Sequence, residues 1–239
     1  MILRLRDVAR HFKGLVAVDG VTLDVAPGEL VGIIGRNGAG KTTLFNLIAG
    51  RLQPSGGRIE FAGADVTSLR AYQKARRGIA RTFQVPEPLG RLNVLDNVKA
   101  GAFATTASAR EATSIAEEVI ELCNLRHKKN AEAAELTLAD MKRLEVARAL
   151  ATRPKLLLLD EVMAGLRPTE VSAAMELCRA IRASGVTLLV IEHVMFAVMN
   201  MCERVVVIEQ GGVLAEGTPG EILSNQQVVD VYLGRPKHV

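Results

Sequence analysis

The chain has 239 residues, of which 49% are apolar and 23% charged, with three Cys, no Trp and a formal charge of +4. That supplies one substantial aliphatic core, while the scarcity of aromatics and the scatter of the basic residues exclude a concentrated nucleic-acid-binding face. Cys123, Cys178 and Cys202 show no zinc or dithiol spacing and read as buried thiols of a reducing compartment.

Residues 1–31 alternate apolar and polar positions between Gly14, Gly20 and Pro27-Gly28, which predicts antiparallel strands joined by turns. The opening "MILRLRDVAR" lacks the continuous apolar stretch of a secretory leader. "ELVGIIG" predicts a buried strand and "KTTLFNLIAGR" the helix after it, ending near Gly50. "GRIEFAG" predicts another strand, "ADVTSLRAYQKARRG" a helical excursion, and "IARTF" a return to strand.

From Gln84 the texture changes to a loop with two prolines, "QVPEPLGRLN", followed by a mostly helical stretch. Its segments are "VLDNVKAGAFA", "SAREATSIAEEVIELCNL" with apolar spacings of three and four, and "LADMKRLEVARALATRP", ended by Pro154. "KLLLLDE" is apolar on both faces, as a central parallel strand requires. "RPTEVSAAMELCRAIRASG" predicts a helix from Pro168 to Gly185, and "VTLLVIEH" the next buried strand. The apolar run from Gly185 to Cys202 is interrupted by Glu192 and His193, so it predicts strand then helix rather than a membrane span. "RVVVIEQGGVLAEGTP" predicts a hairpin turning at "QGG", and "GEILSNQQVVDVYLG" a closing helix. The alternation of buried strands and helices predicts a three-layer α/β fold: one domain over 1–239, with an antiparallel β region first and a helical subdomain inserted over roughly 85–150.

"GRNGAGKTT" places Gly35-x-x-x-x-Gly40-Lys41-Thr42 between a strand and a helix, the context a phosphate-binding loop needs. Glycines allow successive N–H groups to point inward, and the helix adds its positive end. Lys41 can reach the outer phosphates as a point charge, and the Thr42 hydroxyl can bind Mg2+. At the end of "LLLLDE", Asp160 can hold Mg2+ through water, and Glu161 can orient or deprotonate an attacking water. The bland alternative for this acidic pair is a helix N-cap.

"GRNGAGKTT", "RTFQ", "LTLADMKRLEVARAL", "LLLLDE", "AGLRP" and "VIEH" follow one another in an order that resembles ATP-binding cassette (ABC) ATPase subunits over nearly the whole chain. "GLVAVDGVTLDVAPGEL", "RLNVLDNV", "IEHVM" and the ending "VYLG" resemble the branched-chain amino-acid importers of that family, with urea-type importers a near sibling. The resemblance implies a P-loop NTPase core with an N-terminal antiparallel β subdomain and an inserted α-helical subdomain. It implies ATP and Mg2+ as ligands, and Gly35, Asn37, Gly38, Ala39, Gly40, Lys41, Thr42 and Thr43 as the nucleotide loop. It places Phe12 where an aromatic stacks on adenine, a core position being the other reading. Gln84 would sense Mg2+ and the γ-phosphate, and His193 would contact that phosphate from the far side, unless the Glu-His pair binds metal or closes a turn.

The implied partners are transmembrane permease subunits, a second ABC ATPase subunit and, indirectly, a solute-binding protein, with no nucleic acid. The implied place is cytoplasmic, on the inner face of the cell membrane. A soluble, non-transport ABC ATPase is the rival class, but the chain lacks the fused second cassette or coiled-coil arms usual there. A nucleotide-binding regulator with little turnover is a third, opposed by intact Lys41, Asp160, Glu161 and His193. The chain departs from the family's Leu-Ser-Gly-Gly-Gln signature, which faces the partner's nucleotide. Thr137 keeps a hydroxyl, Leu138 is a mild change, Ala139 adds a methyl, and Asp140 brings a negative charge toward phosphate. Val162 replaces a usual proline, and Arg167 stands where Asp or Asn is common. Ala139 and Asp140 predict a weaker clamp. With the two changes at the expected dimer seam they suggest a heterodimer with one impaired site, the rival reading being a homo- or heterodimer whose loop tolerates the changes and whose two sites both work.

Overall fold

The computed structural model describes residues 1–232, so Leu233 and Gly234 of the "VYLG" ending lie outside the described residues. The N-terminal alternation forms β1 (Leu3–Phe12) and β2 (Leu15–Val25), which pair antiparallel from Leu3↔Val25 to Phe12↔Leu15. The next elements are β3 (Leu30–Ile34), α1 (Lys41–Ile48), β4 (Gly56–Phe61) and β5 (Ala64–Asp65). Helix α2 (Ala71–Arg76) and β6 (Ile79–Arg81) follow. Helices α3 (Val94–Ala102), α4 (Ala109–Leu122) and α5 (Leu138–Leu150) succeed them, with two short 3-10 turns between α4 and α5. The chain continues through β7 (Leu156–Asp160), α6 (Pro168–Ala183), β8 (Thr187–Ile191), α7 (Met195–Met201), β9 (Arg204–Glu209), β10 (Gly212–Gly217), α8 (Pro219–Ser224) and α9 (Gln226–Tyr232).

Among the described residues the strands form two sheets, ordered β2-β1-β4-β5 and β10-β9-β3-β8-β7-β6. The second is parallel from β9 through β6, with β10 added antiparallel at its edge. It is the middle layer, because its strands are buried on both faces with a period of two. Leu30, Ile34, Leu157, Leu159, Leu188 and Val190 point into the core shared with the later helices. Val31, Ile33, Leu156, Leu158, Leu189 and Ile191 point into the core shared with α1 and the antiparallel sheet. The carboxyl ends of β3, β7 and β8 therefore emerge side by side, where a doubly wound sheet places its ligands.

Two expectations are corrected. The helical excursion from Ala64 to Gly78 is helical only over α2, because Ala64 and Asp65 pair with Phe61 and Glu60 of β4. Asp65 Oδ1 then accepts the Thr67 N–H at 2.9 Å, a local turn that competes with helix formation. The closing helix is broken at Asn225, whose backbone is extended and whose Oδ1 accepts the N–H groups of Gln227 and Val228.

Leu189 is fully buried in the central strand β8, whereas Leu223 is 60% exposed. Leu189→Ala should lower unfolding free energy by about 2–5 kcal/mol, and Leu223→Ala by less than about 0.5 kcal/mol, read from urea midpoints at unchanged slope.

Candidate functional site

The loop between β3 and α1 is built where other backbone comes too close for side chains. A Cβ on Gly35 would lie 2.3 Å from the Ile208 carbonyl oxygen, and one on Gly40 2.2 Å from that of Ala17. Gly40 also sits at φ 104, in the left-handed region. The Ala39 carbonyl accepts the Gly211 N–H at 3.0 Å, and the Gly211 carbonyl accepts the Asp19 N–H at 2.9 Å. The turn between β9 and β10 thus straps the loop to β2. No side chain caps α1 and no acid stands in its first turn, so its leading amides are left to an outside anion. Lys41 is nearly buried and folds back, Nζ donating to the carbonyls of Gly35 at 2.6 Å and Arg36 at 3.1 Å. Burial lowers its pKa, against the opposing fields of Glu161 and Asp160.

Asp160 ends β7 fully buried. Its Oδ2 accepts Arg81 Nη2 at 2.7 Å, and Arg81 Nη1 donates to Asn46 Oδ1 on α1. Burial raises the Asp160 pKa, with Arg81 working against it. Its Oδ1 is buried without a partner. An unpartnered carboxylate oxygen is the kind of donor a hard divalent cation takes, and Thr42 and Gln84, which carry side-chain oxygens of the same kind, line the cavity in front. Among the described residues no group of three His, Cys, Asp or Glu side chains could hold a metal, so Glu192 and His193 have no further ligand of those types.

Glu161 follows at φ 51, an uncommon conformation for a residue with a side chain. Its Oε2 accepts Gln84 Nε2 at 2.8 Å, and its Oε1 lies 3.0 Å from His193 Nε2. Its N–H donates to the Ile191 carbonyl at 2.9 Å, and its carbonyl accepts Lys142 Nζ at 2.7 Å. Glu192 is fully buried, accepts the Met163 N–H on Oε1 at 2.7 Å, and is pushed by burial up to about 7.

A cavity of about 610 Å³ collects Phe12, residues 37–43, Gln84, Glu161 and His193 on one surface. Gly35 and Asp160 are not among its lining residues. Phe12 is 36% exposed with the Arg10 guanidinium 4.6 Å from its ring centre, so the core reading of this residue is removed. Thr137, Ala139 and Asp140 do not line this cavity. Thr137 caps α5, and its hydroxyl both accepts the Asp140 N–H and donates to Asp140 Oδ2. Arg143 lies 3.3 Å from Asp140 Oδ1. The charge expected to point outward is therefore turned inward and compensated, which corrects the electrostatic reason given for a weaker clamp. Ala139 is also buried, while Leu138 is exposed and leans toward Gly165.

Sequence reasoning missed Arg81, Lys142 and the buried role of Glu192. The available signals were a charge closing the short apolar run "IAR" and an acid directly after "LLVI". For Lys142 no local signal exists, because its partner is a backbone carbonyl from another element.

The sequence profile described as ABC transporter matches residues 18–164, and one described as branched-chain amino acid ATP-binding cassette transporter matches 213–238. The chain is 40% identical to the high-affinity branched-chain amino acid transport ATP-binding protein BraF of Pseudomonas aeruginosa, over 98% of both chains. It is 38% identical to LivG of Escherichia coli, the transport ATP-binding protein of the same description, again over 98% of both. A crystal structure of a nucleotide-free ATP-binding cassette from an ABC transporter superposes with a TM-score of 0.88 at 33% identity, covering 97% of this chain and 98% of that one.

Because Glu192 holds its proton in the fold up to about 7, against 4.5 for an ordinary glutamate, the folded state binds more protons than the unfolded state between those values. Stability should thus fall as pH rises through that window, by on the order of 3 kcal/mol. Glu192→Gln should lack this slope when urea midpoints are compared between about pH 5 and pH 8.

Proposed function

This chain belongs to the ABC transporter family, and we propose that it is the subunit that binds and hydrolyses ATP to drive solute import, with branched-chain amino acids as the solute class. The observation that carries the reaction is the convergence of the phosphate loop, Gln84, Glu161 and His193 on one cavity. The solute class rests on relatives that match the chain end to end and on the second profile over its C-terminal residues.

In this reading the whole of 1–239 is one cassette, and the helices between about 85 and 150 form its helical subdomain. The amides of Gly38 and of residues 40–43, with the Lys41 ammonium, bind the phosphate tail, the Ala39 N–H being held by the Arg36 carbonyl, and Phe12 offers its ring to adenine. Thr42, Gln84 and Asp160 would hold Mg2+, which supplies charge neutralisation on the phosphates when bound. Glu161 takes a proton from water as the water oxygen bonds to the γ-phosphorus; the bond to the β-phosphate oxygen breaks, leaving ADP and phosphate. Gln84 and His193 hold the two carboxylate oxygens of Glu161 and so aim it. Closure on ATP and reopening after hydrolysis move whatever is docked.

Among the described residues no helix is long and apolar enough to cross a membrane, so the membrane path is assigned to permease subunits. A second ATP-binding cassette pairs with this one, and a solute-binding protein acts through the permease, with the cassettes on the inner face of the membrane. The loop after Gln84 suits permease docking because its backbone is tied by side-chain hydrogen bonds yet it exposes Val85, Leu89 and Leu92. Buried Asn97 accepts the Leu89 N–H on Oδ1 and donates to the carbonyls of Leu89, Leu92 and Asn93, while Arg148 donates to the Glu87 carbonyl.

Glu161→Gln should retain Mg-ATP binding but lower turnover of the reconstituted complex by about 100-fold or more, measured as phosphate release. Leu89→Asp should leave ATP binding intact and abolish solute uptake into proteoliposomes; full uptake would remove the docking assignment.

A further inference from the structure

The turn that carries the Glu161 carboxylate is held from outside itself at three points. At φ 51 a glutamate backbone persists only where its surroundings over-determine it. The N–H of Glu161 is held by the Ile191 carbonyl of β8, and its C=O by the ammonium of Lys142 on α5. Two residues on, the Met163 N–H is held by the carboxyl of Glu192. Lys142 and Glu192 are 7% and 0% exposed, and neither lines the nucleotide cavity. Placing an ammonium and a carboxyl group inside a protein is unfavourable unless each is matched. Here the Lys142 ammonium and one Glu192 oxygen are matched to the backbone of the same turn, the second Glu192 oxygen is buried without a partner, and each group lies in the other's field.

We propose that Lys142 and Glu192 are positioning residues for ATP hydrolysis, clamping the backbone on the far side of Glu161 so that its carboxylate stays on Gln84 and His193. Lys142 lies on the helix that begins at Leu138, and Leu138 itself leans toward Gly165 at the end of the same turn. A displacement of α5 relative to β7 is therefore transmitted through Nζ to the Glu161 carbonyl. Glu192 precedes His193, so the group that steadies Met163 and the imidazole that meets Glu161 Oε1 sit on adjacent residues. α5 and β8 thus act on one carboxylate from two directions.

The inference rests on Glu161 acting as the base, and the test separates the two. In the complete reconstituted complex, Lys142→Met, Lys142→Gln, Lys142→Arg, Glu192→Ala, Glu192→Gln and Glu161→Gln are compared for kcat and KM of ATP hydrolysis. Rates are taken per nucleotide-binding site, so protein that fails to fold is not counted. Lys142→Met should lower kcat at least tenfold with KM within twofold. Lys142→Arg should recover most of the loss, and Lys142→Gln, which keeps a donor, should fall between. Glu192→Gln keeps the acceptor for Met163 and should lose less than Glu192→Ala. In the Glu161→Gln background Lys142→Met should cost no further activity. A kcat per site unchanged in both Lys142→Met and Lys142→Gln, or equal losses for Lys142→Arg and Lys142→Met, overturns the clamp while leaving the role of Glu161 standing. Full turnover by Glu161→Gln itself overturns the base assignment and the clamp with it.

Discussion

The carbonyl oxygens of Ala17 and Ile208 occupy the space that side chains at positions 40 and 35 would need. Strands β2 and β9 can press against the phosphate loop only because that loop is bare, and the loop holds its shape only because they press. The hydrogen bonds from Gly211 to Ala39 and from Asp19 to Gly211 complete the contact. The antiparallel sheet, the parallel sheet and the β9–β10 turn therefore all converge on one short piece of backbone. Amide groups whose direction is set in advance meet the condition for electrostatic binding of an anion without reorganisation.

Behind the loop, charge is arranged in layers. Lys41 bends onto two carbonyls of its own loop. Asp160 is tied to Arg81, which also reaches Asn46 on α1, so one guanidinium links the end of β7 to the loop's helix. Only one carboxylate oxygen of that pair is committed, and the other is held buried and bare. In front, both oxygens of Glu161 are engaged by Gln84 and His193. The two adjacent acids thus have different surroundings, one sealed beside a cation and one facing the cavity, and this division suits different chemical tasks.

Much of this was legible from residue order. The glycine spacing needs a strand before it and a helix after it, and both are visible as apolar runs. The burial of every residue of β7 and β8 follows from strands apolar on both faces. Where the reading failed, the competing interaction was local and polar: Asp65 turning the chain at Thr67, and Asn225 restarting a helix. The sequence alone implies an outward charge at Asp140, because it shows that the residue is acidic and not that Thr137 and Arg143 fold it inward. Arg81 and Lys142 were illegible for a different reason. Their partners are 79 and 19 residues away, and in the second case the partner is a carbonyl, which every residue has.

Asn97 gives the loop after Gln84 a property that its two prolines alone would not. With one side-chain amide serving Leu89, Leu92 and Asn93, the loop is held from beneath by a group that is itself fully buried. A surface already frozen in shape gives up little conformational freedom when something settles on it. A contact made on such a surface would behave as a stiff lever rather than as a tether that must first be drawn taut.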